Sequence, residues 1–135
     1  MPQHVLIIGA VALGPKAASR FKRLEPDSTV TMIDKDTRIS YGGCGIPYFV
    51  SGDVSATSDL TTTSYHMVRD IPFFRDIKGV EVKTGVEAMA IDRAAKTVRV
   101  TDLASGQKDV LSYDKLVIAT GAAPRVLPVA MTSLS

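Results

Sequence analysis

The sequence contains no tryptophan, two histidines and a single cysteine among 135 residues. A lone cysteine forms no intramolecular disulfide, so a disulfide-stapled secreted scaffold is excluded and a reducing cytoplasm is the expected compartment. Aromatic residues amount to 6% and the formal net charge is +2, with the 16 Lys and Arg spread along the chain. That leaves neither a basic patch nor a stacking platform for nucleic acid. No apolar run approaches the about 18 residues a membrane span requires. The apolar start, residues 5–13, has no Lys or Arg before it. It therefore reads as strand, turn and helix rather than as a secretory leader. His4 and His66 form no ligand set with Cys44, which argues against a metal site, and no convincing Cys–His nucleophilic pair is present.

What is present is an ordinary globular composition, 45% hydrophobic and 22% charged. Its length suits one domain. Val5-Leu6-Ile7-Ile8 is continuously apolar, as in a parallel strand buried on both faces. From residue 14 to 24, Ala17, Ala18, Phe21 and Leu24 recur at helical spacing, with Lys16, Arg20 and Lys22 outward. Glu25-Pro26-Asp27 stops this helix, and residues 29–33 form a second strand, completing a βαβ unit. Residues 57–63 are polar and loop-like. Residues 65–77 are expected to be helical, kinked or divided by Pro72. Strands follow from Val80. Residues 86–91, 97–103 and 108–111 alternate as an antiparallel meander with a Ser105-Gly106 turn. Leu116-Val117-Ile118-Ala119 is another buried strand, ended by Thr120-Gly121.

The first turn reads Gly9-Ala10-Val11-Ala12-Leu13-Gly14. It leaves a strand, opens a helix, and is followed about 20 residues later by Asp34, the context of a dinucleotide fingerprint. Gly9 permits the tight turn and Gly14 close packing of helix on strand. The helix start offers N–H groups and a positive dipole end to a pyrophosphate. Asp34 can accept hydrogen bonds from ribose hydroxyls, and its charge repels a 2′-phosphate. Val11 stands where the generic motif has its second glycine, so the turn reads either as a nucleotide site or as a plain βαβ turn.

Ser40-Tyr41-Gly42-Gly43-Cys44-Gly45-Ile46-Pro47-Tyr48 is the most unusual stretch. Glycines around Cys44 leave it uncrowded and let backbone approach a flat ligand. Pro47 suits a first helical turn, which would place Cys44 beside a helix start that favours thiolate over thiol. The competing reading is a small buried hydrophobe.

Together these motifs, with Asp34-Lys35 and Tyr113-Asp114-Lys115-Leu116-Val117-Ile118-Ala119-Thr120-Gly121-Ala122, resemble one family from about Val5 to Pro128. It is the single-cysteine class of FAD-dependent pyridine nucleotide–disulfide oxidoreductases, which includes coenzyme A disulfide reductases, NADH oxidases, NADH peroxidases and persulfide or polysulfide reductases. The resemblance implies a three-layer, Rossmann-like FAD-binding α/β domain with a central parallel sheet and a β-meander crossover. It implies that Gly9, Val11 and Gly14 face the FAD pyrophosphate, that Asp34 and Lys35 flank the adenosine, and that Val86 makes a backbone contact to the adenine. Thr120 and Gly121 would close over the flavin side. Cys44 would lie beside the flavin ring as the redox thiol, acting on a small disulfide, persulfide, oxygen or peroxide. Arg23 and Ser40 fall where coenzyme A-using relatives touch that ligand, although Arg23 reads somewhat better as a solvated helix position. In the family, an NADH-binding domain, a returning FAD-binding segment and a dimerisation domain come after this region. Residues 1–128 are thus expected to be the N-terminal FAD-binding segment and 129–135 a tail without family match. The 135 residues by themselves are expected to be without turnover. A non-catalytic adenine-nucleotide module and an inert fold remnant are the competing readings.

Overall fold

The computed structural model describes residues 1–123 and Arg125; the expected tail, 129–135, lies outside them. The central sheet is parallel, with the order β3-β2-β1-β7. Its strands are β1 (His4–Ile8), β2 (Thr29–Asp34), β3 (Glu81–Thr84) and β7 (Lys115–Ile118). The meander is a separate antiparallel sheet of β4 (Val86–Asp92), β5 (Thr97–Asp102) and β6 (Lys108–Ser112). Val5 pairs with Val30 on one side and with Lys115 on the other, so β1 is flanked on both edges.

The continuous apolar run of β1 follows from what covers each face. Val5 and Ile7 pack with Val30, Met32, Ala18 and Phe74, a core beneath helix α1 (Leu13–Leu24). Leu6 and Ile8 pack with Ile33, Val98 and Val100, a core beneath the meander. Helix, parallel sheet and meander are thus three layers, and both faces of β1 need apolar side chains because neither meets water. Leu6 and Ile7 are 0% exposed, a burial worth about 1.5–3 kcal/mol for each side chain.

Four details differ from the sequence reading. The run Leu116–Ala119, expected to be a buried strand, is an edge strand: among the described residues no strand pairs with β7 on its outer side, Leu116 and Val117 are half-buried and Ile118 is exposed. Leu24 is exposed rather than inward. It is the last residue of α1, and no element covers it where the chain turns toward β2. Lys22, expected to point outward, is half-buried. Its Nζ donates to the carbonyls of Pro26 (2.7 Å) and Ser28 (2.8 Å), tying the helix end to the next strand. Residues 65–69 are not helical; helical structure covers only 71–78, mostly as a π-helical segment (Phe73–Ile77). Asp70 Oδ1 accepts from the Phe73 N–H at 2.9 Å, a side-chain cap. Pro72 therefore sits in the first turn, where its missing N–H costs nothing, and starts the helix rather than dividing it.

The polar turns are closed by carboxylates. Asp102 accepts from Ser105 N and Oγ (2.8 Å each) and from Ala104 N (3.1 Å), which closes the β5–β6 turn. These bonds, the Ser105 backbone N–H foremost, hold its pKa below the ordinary 3.8. Asp36 is lowered in the same way by the backbone N–H groups of Arg38 and then Thr37. A lowered carboxylate contributes stability that is complete above its unfolded value and is lost as pH falls through the folded one. Acidification below pH 3.8 is therefore expected to loosen the β5–β6 turn, read as faster amide exchange at Ser105. Asp102→Asn should remove that pH dependence; an NMR titration of Asp102 with an ordinary midpoint would contradict it.

Candidate functional site: a cleft at the glycine turn

The carboxyl ends of β1, β2 and β7 open on one side of the sheet, where the chain makes its sharpest turn. Gly9 has φ 110°, a conformation that side-chain-bearing residues rarely adopt. Its N–H donates to Ile33 O at 2.8 Å, and a Cβ there would overlap the backbone of Ala119. At Gly14 a Cβ would overlap the Gly9 carbonyl. Glycine at both positions thus lets α1 start directly against the strand ends, as the sequence reading expects.

Asp34, at the end of β2, closes this turn from below. Its Oδ2 accepts from Ala10 N at 2.7 Å and its Oδ1 from Asp36 N at 2.9 Å. The Ala10 carbonyl in turn accepts from Ser40 N at 2.7 Å, bringing the cysteine loop against the glycine turn. Helix α1, of 12 residues, has no side-chain cap and no acid in its first turn. Its leading N–H groups therefore lack a side-chain acceptor at the end where the dipole is positive.

These elements surround a cleft of about 870 Å³. Gly9, Val11, Asp34, Lys35, Val86, Thr120 and Gly121 all line it, although they lie far apart in sequence. Gly14 is buried beneath the turn rather than in the lining. Sequence reasoning overlooked Leu13, Tyr41 and the stretch Met89, Ala90 and Ile91. The last three lie at and just after an irregularity in β4 between Ala88 and Ala90, which shifts the strand's register.

Cys44 is exposed, not a buried hydrophobe. It lies in a 3-10 turn (Gly43–Gly45) leading into α2 (Ile46–Ser51), whose first turn holds Pro47 as expected. A Cβ at Gly43 would meet nothing nearer than Tyr41 Cε2 at 3.9 Å. The space over this turn is therefore open. Cys44 does not line the cleft, but Tyr41, three residues before it, does. Ser40 is 4% exposed with φ 50°, and its backbone N–H is the one bonded to Ala10. Arg23 is exposed in the last turn of α1, outside the cleft lining. His66 is exposed in a turn with φ 59°.

A three-layer α/β domain with its glycine turn, acid and crevice at the carboxyl ends of the parallel strands is a Rossmann-like domain. Residues 3–132 match the family described as pyridine nucleotide-disulphide oxidoreductase. The chain belongs to that family. It is 35% identical over 120 residues to a coenzyme A disulfide reductase of Staphylococcus haemolyticus, covering 89% of this chain and 26% of that protein. Among solved structures, a NAD-dependent persulfide reductase from A. fulgidus superposes with a TM-score of 0.88 at 42% identity, covering 93% of this chain and 23% of that one. A water-forming NADH oxidase from Lactobacillus brevis gives 0.82 at 28% identity, covering 94% and 27%. The chain thus spans about a quarter of the length of these relatives. No helix among the described residues is long and apolar enough to cross a membrane.

Proposed function

We propose that this chain forms the adenine-dinucleotide-binding part of an FAD-dependent, NAD(P)H-linked oxidoreductase that reduces a small disulfide or persulfide through Cys44. One observation carries the reading: the glycine turn, Asp34, Lys35, Val86 and the Thr120-Gly121 end of β7 converge on a single cleft. Its volume falls within the about 300–1,000 Å³ of small-molecule sites. The residues fit the cofactor. The uncapped start of α1 presents N–H donors to a pyrophosphate. Each Asp34 oxygen, having accepted one backbone N–H, keeps a lone pair for a ribose hydroxyl.

Bound flavin would supply the electron transfer between pyridine nucleotide and sulfur. The chain's own part is to hold the nucleotide by backbone donors, to fix the ribose through Asp34, and to keep an uncrowded thiol on the neighbouring loop. Within these 135 residues Cys44 has no second thiol to pair with, so the oxidised species they can form by themselves is a mixed disulfide, a persulfide or a sulfenate. Arg23 and Ser40 as coenzyme A contacts, and a homodimeric cytoplasmic setting, belong to the same reading.

Purified chain titrated with ADP or FAD is expected to bind both by calorimetry. Binding of neither would end the proposal. NADH consumption with FAD added is expected to be absent, because only one nucleotide fingerprint occurs in these 135 residues. Brisk NADH oxidation would show that a second nucleotide site exists within them.

A further inference from the structure

The loop that carries Cys44 is held at one backbone atom, the carbonyl oxygen of Leu60. Gly42 N donates to it at 2.7 Å, and Arg69 Nη2 donates to it at 2.9 Å. A carbonyl oxygen has two lone pairs, so these two donors complete it. Arg69 also binds the neighbouring carbonyl of Thr61, through its backbone N–H at 2.9 Å and Nε at 3.4 Å. The Leu60 side chain lies where a Cβ on Gly45 would stand, with Cδ2 at 2.5 Å from that point. The Cys44 turn is thus gripped on both sides, at Gly42 by the Leu60 backbone and at Gly45 by the Leu60 side chain.

Arg69 is brought there by a small irregular hairpin. Thr62 bridges Val68, Thr63 N donates to Met67 O at 2.8 Å, and Thr63 Oγ1 accepts from Met67 N at 3.1 Å. Among the described residues the ion pairs are Arg75–Asp76 and Lys83–Glu81, and Arg69 is in neither. Its half-buried guanidinium is therefore spent on backbone carbonyls. Charged donors make the stronger hydrogen bonds, and a planar fork reaches two adjacent acceptors at once.

We infer that Arg69 is a positioning residue for Cys44: by fixing the Leu60 carbonyl it fixes the Gly42–Gly45 turn and with it the site of the thiol. The inference builds on the proposed redox role of Cys44. Its immediate physical content, the hold of Arg69 on Gly42, is measured without reference to that role.

The experiment is amide hydrogen exchange by NMR on the wild-type chain, Arg69→Ala and Arg69→Lys. In Arg69→Ala the Gly42 amide is expected to exchange about 10-fold faster or more, the scale of losing a charged hydrogen-bond partner. The amides of Leu6 and Met32, in the central sheet, should be unchanged. Arg69→Lys, which keeps one charged donor, should recover part of the Gly42 protection. Unchanged Gly42 exchange in Arg69→Ala, or equal loss at Gly42, Leu6 and Met32 in both variants, would overturn the inference. Iodoacetamide labelling of native wild-type protein tests the other half. A Cys44 that labels only after unfolding would remove its redox role, while the Gly42 result would still decide whether Arg69 holds the loop.

Discussion

Replacing Gly9 by alanine is expected to lower stability by about 2–6 kcal/mol, combining about 1–3 kcal/mol for a strained backbone with a similar amount for overpacking. Both costs are visible at this residue. Its φ is 110°, and an added Cβ would run into the backbone of Ala119, which cannot move without breaking the Ala119 N–H bond to Ile8 O at 2.7 Å. A domain of this size has only about 5–15 kcal/mol in total. Gly43→Ala supplies the control, since open space surrounds that position; it should stay within about 0.5 kcal/mol of wild type. Urea unfolding checks the pair. Equal midpoints for Gly9→Ala and Gly43→Ala would show that the turn tolerates a side chain.

Asp34→Ala should weaken ADP or FAD binding by about 1–3 kcal/mol, or roughly fivefold to 150-fold. Two effects combine. A ribose hydroxyl loses its charged acceptor, and the Ala10 and Asp36 N–H groups lose theirs, so the glycine turn is also released. Asp34→Asn separates them. Its amide oxygen can still accept from Ala10, so turn and stability should be largely kept, while the charge presented to the ribose is gone. Calorimetry with unchanged affinity in both variants would remove Asp34 from the site and leave it as a turn-closing residue alone.

How legible these features were depended on the range of the interaction behind each. Val5-Leu6-Ile7-Ile8 announces a buried parallel strand because burial on both faces leaves a continuous apolar run. The same pattern in Leu116-Val117-Ile118-Ala119 marked a parallel strand but not its burial, since β7 is the edge of the sheet among the described residues and Ile118 is exposed. Gly9, Gly14 and Asp34 were readable because a tight turn, a close helix and an acid at a strand end fix residue types locally. The helix start at Asp70-Ile71-Pro72 was also written in the sequence, as a capping acid followed by a proline. The expected helix nevertheless began six residues too early, at residue 65 instead of 71. Leu24 kept helical spacing but lost its cover, because periodicity says which way a side chain points and not whether anything lies there. The parts of the cleft built by Met89–Ile91 lie at and just after a shift in strand register. The grip of Arg69 on Leu60 passes through backbone oxygens. Neither imposes a residue pattern.

The pairing of β1 with β7 has a consequence for the order in which the molecule is made. The His4 N–H donates to the Asp114 carboxylate across 110 positions of sequence, and β1 has β7 as its neighbour on that side. Everything between them, the helical layer, β2, β3 and the whole meander, leaves the ribosome before the central strand acquires its last partner. Loop closure over such a span is entropically costly and slow. A nascent chain ending anywhere within the meander thus presents β1 with one bare edge and Gly9 without the backbone of Ala119 against it. Such a chain carries the unpaired edge that makes incomplete folds prone to aggregate and is not a smaller version of the fold.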